Sequence, residues 1–180
     1  MIYRLKPPVE RSKRALCSLQ GLTWTAVPFV RPESASFRDR KIACSKAHLH
    51  CLERFLGTND SHATILEDDA IFSENSEWLS LTGYDVFLPF AHNRKPIPPN
   101  LAIAAVLPQF AMFAYRASRV FAERFAKELA SGAITDPCHR IAARGLGIGS
   151  YKGNLVQHDN LYFSNISEMR RLRLLAAIRA

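Results

Sequence analysis

Apolar positions along the chain recur with two different spacings, and the way these alternate predicts an α/β fold. Residues 2–5 are a short apolar run that reads as a first strand. Pro7 and Pro8 stand where a helix can begin and Gly21 where it can end, with Val9, Leu16 and Leu19 as a thin apolar stripe. Thr23 to Val30, carrying Trp24, Val27, Phe29 and Val30, predicts a second strand, and residues 31–40, rich in Arg, Pro, Ser and Asp, predict a loop. From Arg40 to Leu56 the period is helical. Ile42, Leu49, Leu52, Phe55 and Leu56 mark the buried side, Lys46, His50, Glu53 and Arg54 the wet side, and Gly57 the stop.

Downstream, Thr64 to Phe72 is expected as a central strand and Tyr84 to Phe90 as another β-rich run. Residues 91–100 form a polar, proline-rich loop, and Leu101–Leu107 with Phe110–Tyr115 suggest a hairpin joined by Pro108-Gln109. Ser118 can cap a helix through Leu129, with Phe121, Phe125 and Leu129 inward and a Glu123/Lys127 pair outward. Thr135-Asp136-Pro137 opens a short helix that Gly145 stops, and 148–156 return as a strand delivering Gln157-His158-Asp159. Residues 166–178 close as a basic amphipathic helix.

Composition narrows the class. With 180 residues, 48% of them hydrophobic, the chain is long enough for one compact domain with a substantial core. No internal repeat or low-complexity tract divides it. The first residues lack an apolar segment of leader length, so a cytoplasmic location is expected, with peripheral contact to an anionic membrane through the basic C-terminal helix as an added possibility. Cys17, Cys44, Cys51 and Cys138 show no CxxC spacing and read as reduced, small apolar residues. A net charge of +8 suits a phosphorylated substrate, a nucleic acid or an anionic membrane. No helix-turn-helix, aromatic RNP pair or finger accompanies that charge, which argues against a nucleic-acid partner.

The candidate chemistry centres on Glu67-Asp68-Asp69, three consecutive carboxylates between the apolar triplets Thr64-Ile65-Leu66 and Ala70-Ile71-Phe72. Acids at the carboxyl end of a strand project toward the crevice where open α/β sheets bind ligands. A divalent cation that also grips a diphosphate would receive them, since Mg²⁺ and Mn²⁺ favour one or two carboxylates plus phosphate oxygens. The plain alternative is a strand followed by a solvated acidic turn. His48, four residues from Cys44 and Leu52, falls on the apolar face of its helix and is either a satisfied core histidine or a ligand-facing one. Arg11 and Arg14 lie three apart near a helix start, where their planar forks can share a face and suit a diphosphate or simply be solvated.

Taken in order, these segments resemble glycosyltransferase family 25. A first strand and helix start of the INLDRSxER kind is matched by Leu5, Val9, Glu10 and Arg11, and a helix of the IGCALSHLxxWE kind by Ile42, Cys44, His48, Leu49 and Glu53. The LILEDDA segment is matched by Ile65 to Ala70, YDV by Tyr84-Asp85-Val86, AYxIS by Ala114 to Ser118, and LVxQ by Leu155-Val156-Gln157, with Ser164 beyond. Ala43, Ala47, Met112, Phe113, Arg4 and Lys6 depart from the pattern.

The resemblance implies a GT-A-like mixed sheet flanked by helices, with residues of about 1–90 binding a nucleotide-sugar donor and those of about 91–180 the acceptor. It implies transfer of a hexose from a nucleotide-diphosphate sugar to a glycan or lipooligosaccharide, metal-dependent through Mn²⁺ or Mg²⁺ and inverting. Glu67 and Asp69 are then expected to hold the metal, as alternate residues of one extended strand, with His158 as a further ligand and Asp68 toward ribose or the metal's outer shell. A surface histidine is the alternative at 158. Arg11, Arg14 and His48 fall to the donor, and Asp136 to the general base, with helix N-capping as its rival role. Other classes stay open: a basic nucleic-acid binder, a metal-dependent nuclease or nucleotidyltransferase, or a catalytically inactive relative.

Overall fold

The computed structural model describes residues 1–5, 19–28, 30–34, 36–72, 77–89, 112–132, 134–150 and 156–158. Its centre is a mixed six-stranded sheet in the order β2-β1-β3-β6-β5-β7, built from β1 Ile2–Leu5, β2 Thr25–Val27, β3 His62–Leu66, β5 Val86–Leu88, β6 Ala114–Ser118 and β7 Ile148–Ser150. Five strands run parallel and β6 runs against them, antiparallel to both β3 and β5. A second, two-stranded sheet pairs β4 Ala70–Phe72 with β8 Val156–His158, also antiparallel. The α/β class expected from the hydrophobic pattern is the class observed.

Every residue of β1 is buried, as befits a parallel strand covered on both faces. The chain leaves β1 for β2 on one side and reaches β3 on the other by way of α1 Phe37–Leu56. That reversal of direction puts a topological switch point at the carboxyl ends of β1 and β3, where α/β sheets open their ligand crevice.

Helix α1 begins earlier than the polar composition of 31–40 suggests, because Ser36 accepts the N–H of Asp39 and caps it. Its buried side is also rotated from the expected one. Ala43, Ala47, His48, Cys51, Leu52 and Phe55 are buried, whereas Ile42, Leu49 and Leu56 are only partly so. Small residues let this helix approach the helices packed against it, α2 Arg119–Ala130 and α3 Thr135–Ala142. Arg119 secures the far end of α1 by donating from Nη2 to the Leu56 carbonyl and from Nη1 to the Thr58 carbonyl, each at 2.7 Å.

Helix α2 follows the sequence closely. Ser118 caps it by accepting the N–H of Phe121, and Phe121, Phe125 and Leu129 are buried. The Phe121 and Phe125 rings pack edge-on to Tyr115 of β6 at 6.4 and 6.1 Å. Asp85, from the Tyr-Asp-Val segment, organises the opposite end of the sheet. One carboxylate oxygen accepts from the Ser118 hydroxyl at 3.0 Å and the other from the Gly147 N–H at 2.9 Å, tying β5, β6 and β7 together. Gly149 in β7 lies under the Tyr84 ring so closely that a Cβ there would meet Tyr84 Cδ1 at 2.7 Å.

Three expectations change. The stretch Thr64–Phe72 is two strands in two sheets rather than one, broken by a turn at the acids. Residues 148–158 likewise divide into β7 and β8. Helix α3 takes Ile134, not Asp136, as its N-cap residue. Its first N–H, that of Thr135, is accepted instead by the Ser45 hydroxyl of α1 at 2.8 Å, so the cap comes from a neighbouring helix. The helix expected after Pro7, the loop at 91–100, most of the expected hairpin and the basic C-terminal helix lie outside the described residues. Among the described residues no helix is long and apolar enough to cross a membrane.

Phe125, fully buried between Phe121 and Tyr115, measures how much the core depends on this helix. Phe125→Ala is expected to cost about 3–5 kcal/mol in denaturant unfolding, the usual loss for deleting a buried aromatic side chain.

Candidate active site at the end of strand β3

The three acids lie where β3 ends. Glu67 donates its N–H to the Phe113 carbonyl at 2.7 Å, and Ala70 donates back to the Glu67 carbonyl at 3.3 Å, closing a turn over Glu67-Asp68-Asp69. The reversed direction of β6 makes this support available. Its register, Leu66 opposite Ala114, brings the residues that precede β6 to the carboxyl end of β3. Because the chain turns here, the alternation of an extended strand does not govern these side chains, which corrects the pairing of Glu67 with Asp69 on that ground. Asp68 and Asp69 are buried, at 9% and 3% exposure, and Glu67 is partly exposed. The solvated acidic turn is therefore not what forms, for two of the three acids are covered.

Below the turn sits Arg4, 1% exposed, at the end of β1. Its Nη2 donates to the Asp68 carbonyl at 2.9 Å, and its guanidinium carbon lies 5.6 Å from the centre of the Trp24 ring. A cation in this position offsets part of the mutual repulsion of three neighbouring carboxylates.

The second side of the site is α1. Glu67 Oε1 lies 3.3 Å from His48 Nε2 and 3.8 Å from Cys44 Sγ, which donates toward it. His48 is fully buried, and its other ring nitrogen lies 3.2 Å from the Tyr115 hydroxyl. Burial, reinforced by Cys51, Cys44 and Glu67, pushes the Tyr115 phenol well above its ordinary range, so it stays protonated. His48 thus combines both alternatives open from the sequence: a core histidine by burial, and one hydrogen-bonded to a carboxylate at the crevice.

Position 158 also falls close by. The β4–β8 ladder sets His158 opposite Ala70, the residue directly after Asp69. The Ser45–Thr135 hydrogen bonds, including hydroxyl to hydroxyl at 2.7 Å, place the first turn of α3, and with it the backbone of Asp136, against α1 one residue from Cys44. The side chains of Asp136 and His158 lie outside the described residues, as do Arg11 and Arg14 entirely.

Arg4, Cys44, Ser45 and Tyr115 are site residues that the sequence argument did not place there. A lone arginine in the apolar run Ile2-Tyr3-Arg4-Leu5 and a cysteine one helical turn before His48 were the available signals. A scan against protein-family models and a search of curated proteins find no match for this chain.

Thiol reactivity separates the site from the core. Cys51 is buried and its thiol is pushed up to about 12 by desolvation, and Cys138 is buried with its thiol also raised by desolvation. Alkylation of the native, metal-free protein, mapped by peptide mass spectrometry, is expected to label Cys44 well before Cys51 and Cys138.

Proposed function

We propose that this protein is a glycosyltransferase of GT-A type that moves a hexose from a nucleotide-diphosphate sugar to a glycan or lipid-linked glycan acceptor, with inversion and with a divalent cation. The observation that carries the proposal is the acidic turn Glu67-Asp68-Asp69, two of whose acids are buried, held at the carboxyl end of β3 where the sheet's connections reverse. The ordered set of short motifs resembling glycosyltransferase family 25 supports it. So does a sheet of five parallel strands with one reversed.

Asp68 and Asp69 are buried in the turn at the carboxyl end of β3 and offer the oxygen donors that Mn²⁺ or Mg²⁺ prefers. They would hold the cation, with His158 as a third donor across the β4–β8 ladder. When bound, the cation supplies positive charge to the departing diphosphate. Arg11 and Arg14 would add basic side chains for the diphosphate, while the Arg4–Asp68 bond keeps the turn in place. Asp136 would take the proton from the acceptor hydroxyl as its oxygen bonds to the sugar's anomeric carbon and the bond from that carbon to the diphosphate breaks.

Thermal-shift measurements with uridine, guanosine and cytidine diphosphate sugars, with and without Mn²⁺, test the donor site. One donor is expected to stabilise the wild type by about 2.7 kcal/mol at a hundredfold excess over Kd, and only with the metal. Asp69→Asn should abolish that shift; stabilisation by no donor, or a shift unchanged in Asp69→Asn, would sink the proposal. Asp136→Asn should keep donor binding and lower turnover on the order of 10²-fold or more, the span of general-base catalysis. A loss of stability alone would instead mark Asp136 as a structural residue of α3.

A further inference from the structure

We infer that Cys44, His48 and Glu67 form a second metal site, one that takes a borderline-soft divalent cation of the Zn²⁺ class. The inference is independent of the donor reading.

Cys44 and His48 stand four apart on α1, the spacing that aligns two ligands on one helix face, and Glu67 meets them from the turn after β3. The three donor atoms all lie within 4.8 Å of one another. With Zn–N and Zn–O near 2.0–2.1 Å and Zn–S near 2.3 Å, a tetrahedral site has edges of about 3.3 Å between nitrogen and oxygen and about 3.5 Å between sulfur and oxygen. The observed separations are 3.3 Å from His48 Nε2 to Glu67 Oε1 and 3.8 Å from Cys44 Sγ to the same oxygen. Both separations lie within a few tenths of an ångström of those edges, and Cys44 and Glu67 are only partly buried, which leaves their side chains room to adjust around an ion.

The surroundings suit a ligating histidine. Coordination through Nε2 requires neutral imidazole with its proton on Nδ1, and Nδ1 faces the Tyr115 hydroxyl at 3.2 Å, whose oxygen can accept a hydrogen bond from that N–H. The His48 and Tyr115 rings also stack, with centroids 5.7 Å apart, so orientation is fixed by packing as well. Metal binding replaces the Cys44 S–H proton, which leaves to solvent, and leaves Glu67 as carboxylate. A thiolate and an imidazole favour Zn²⁺ over Mg²⁺ or Mn²⁺, and three protein ligands leave a fourth position for water or another ligand. Asp68 and Asp69 belong to a different donor set, all oxygen, of the kind a harder cation prefers.

Cobalt(II) titration of tag-free full-length protein tests the site. The expected result is one equivalent bound, with a sulfur-to-cobalt charge-transfer band and the intense visible bands of tetrahedral Co²⁺. Zn²⁺ should bleach them and excess Mg²⁺ or Mn²⁺ should not. Cys44→Ser should remove the charge-transfer band, Tyr115→Phe should weaken binding on the order of tenfold, and Asp69→Asn should leave the spectrum unchanged. Circular dichroism confirms folding of each variant, and Glu67→Gln, at a partly exposed position, substitutes for Cys44→Ser if that variant unfolds, with at least a tenfold loss of Zn²⁺ affinity expected. Absence of the band in folded wild type, its persistence in Cys44→Ser, an unweakened Glu67→Gln, or its loss in folded Asp69→Asn would each overturn the inference.

Discussion

A guanidinium removed from water at the end of β1 is the constraint on which the site depends. Burying Arg4 carries a desolvation cost that its hydrogen bonds must offset. Because Arg4 is register-paired with Leu66 in the parallel β1–β3 ladder, its side chain can reach past the strand end to the Asp68 carbonyl. The bond fixes the backbone of the acidic turn relative to β1 and sets a positive charge against three carboxylates. Trp24, carried in before β2, covers the guanidinium from the side. A neutral residue at position 4 would remove both the anchor and the counter-charge, so the turn's geometry and its tolerance of adjacent acids have one origin.

The reversed strand β6 supplies what a sixth parallel strand could not. Its antiparallel direction brings residues at its start beside the end of β3, so the Phe113 carbonyl receives the Glu67 N–H and Tyr115 lies where α1 presents His48. Helix α1 comes close enough for this because much of its buried side is alanine and cysteine. Elements far apart in sequence thus converge on Glu67: α1 through Cys44 and His48, and the entry to β6 through its backbone.

Much of this was legible in the chain and some of it was not, for definite physical reasons. Periodicity located β1, β2, the body of α1, β5 and α2 with its Ser118 cap, because local pattern and tertiary burial agree there. It read Thr64–Phe72 as one strand because apolar residues flank the acids on both sides, and hydropathy does not register a turn whose hydrogen bonds come from Phe113, forty-six residues away. The rotated face of α1 was obscured for a related reason. Alanine, serine and cysteine carry little hydrophobic signal, yet they are what close helix packing selects. Asp136 resembled an N-cap because it precedes a proline, but Ser45, ninety positions before Thr135, accepts the Thr135 N–H across a helix interface. Long-range hydrogen bonds decided the turn and the cap, long-range packing decided the helix face, and no local window contains them.

The three acids of the Glu67-Asp68-Asp69 turn do not share one environment. Glu67 is drawn toward a thiol and an imidazole on α1, while Asp68 and Asp69 are buried in the turn itself. Cations sort by ligand softness, so neighbouring carboxylates can serve different ions when their partners differ. The same separation bears on transfer chemistry. If Glu67 is engaged by α1, a donor-bound cation rests on the two aspartates and on whatever β8 adds beside them through its pairing with β4. The β4–β8 ladder then does more than form a second sheet, because it brings the backbone of His158 beside the acids at the end of β3.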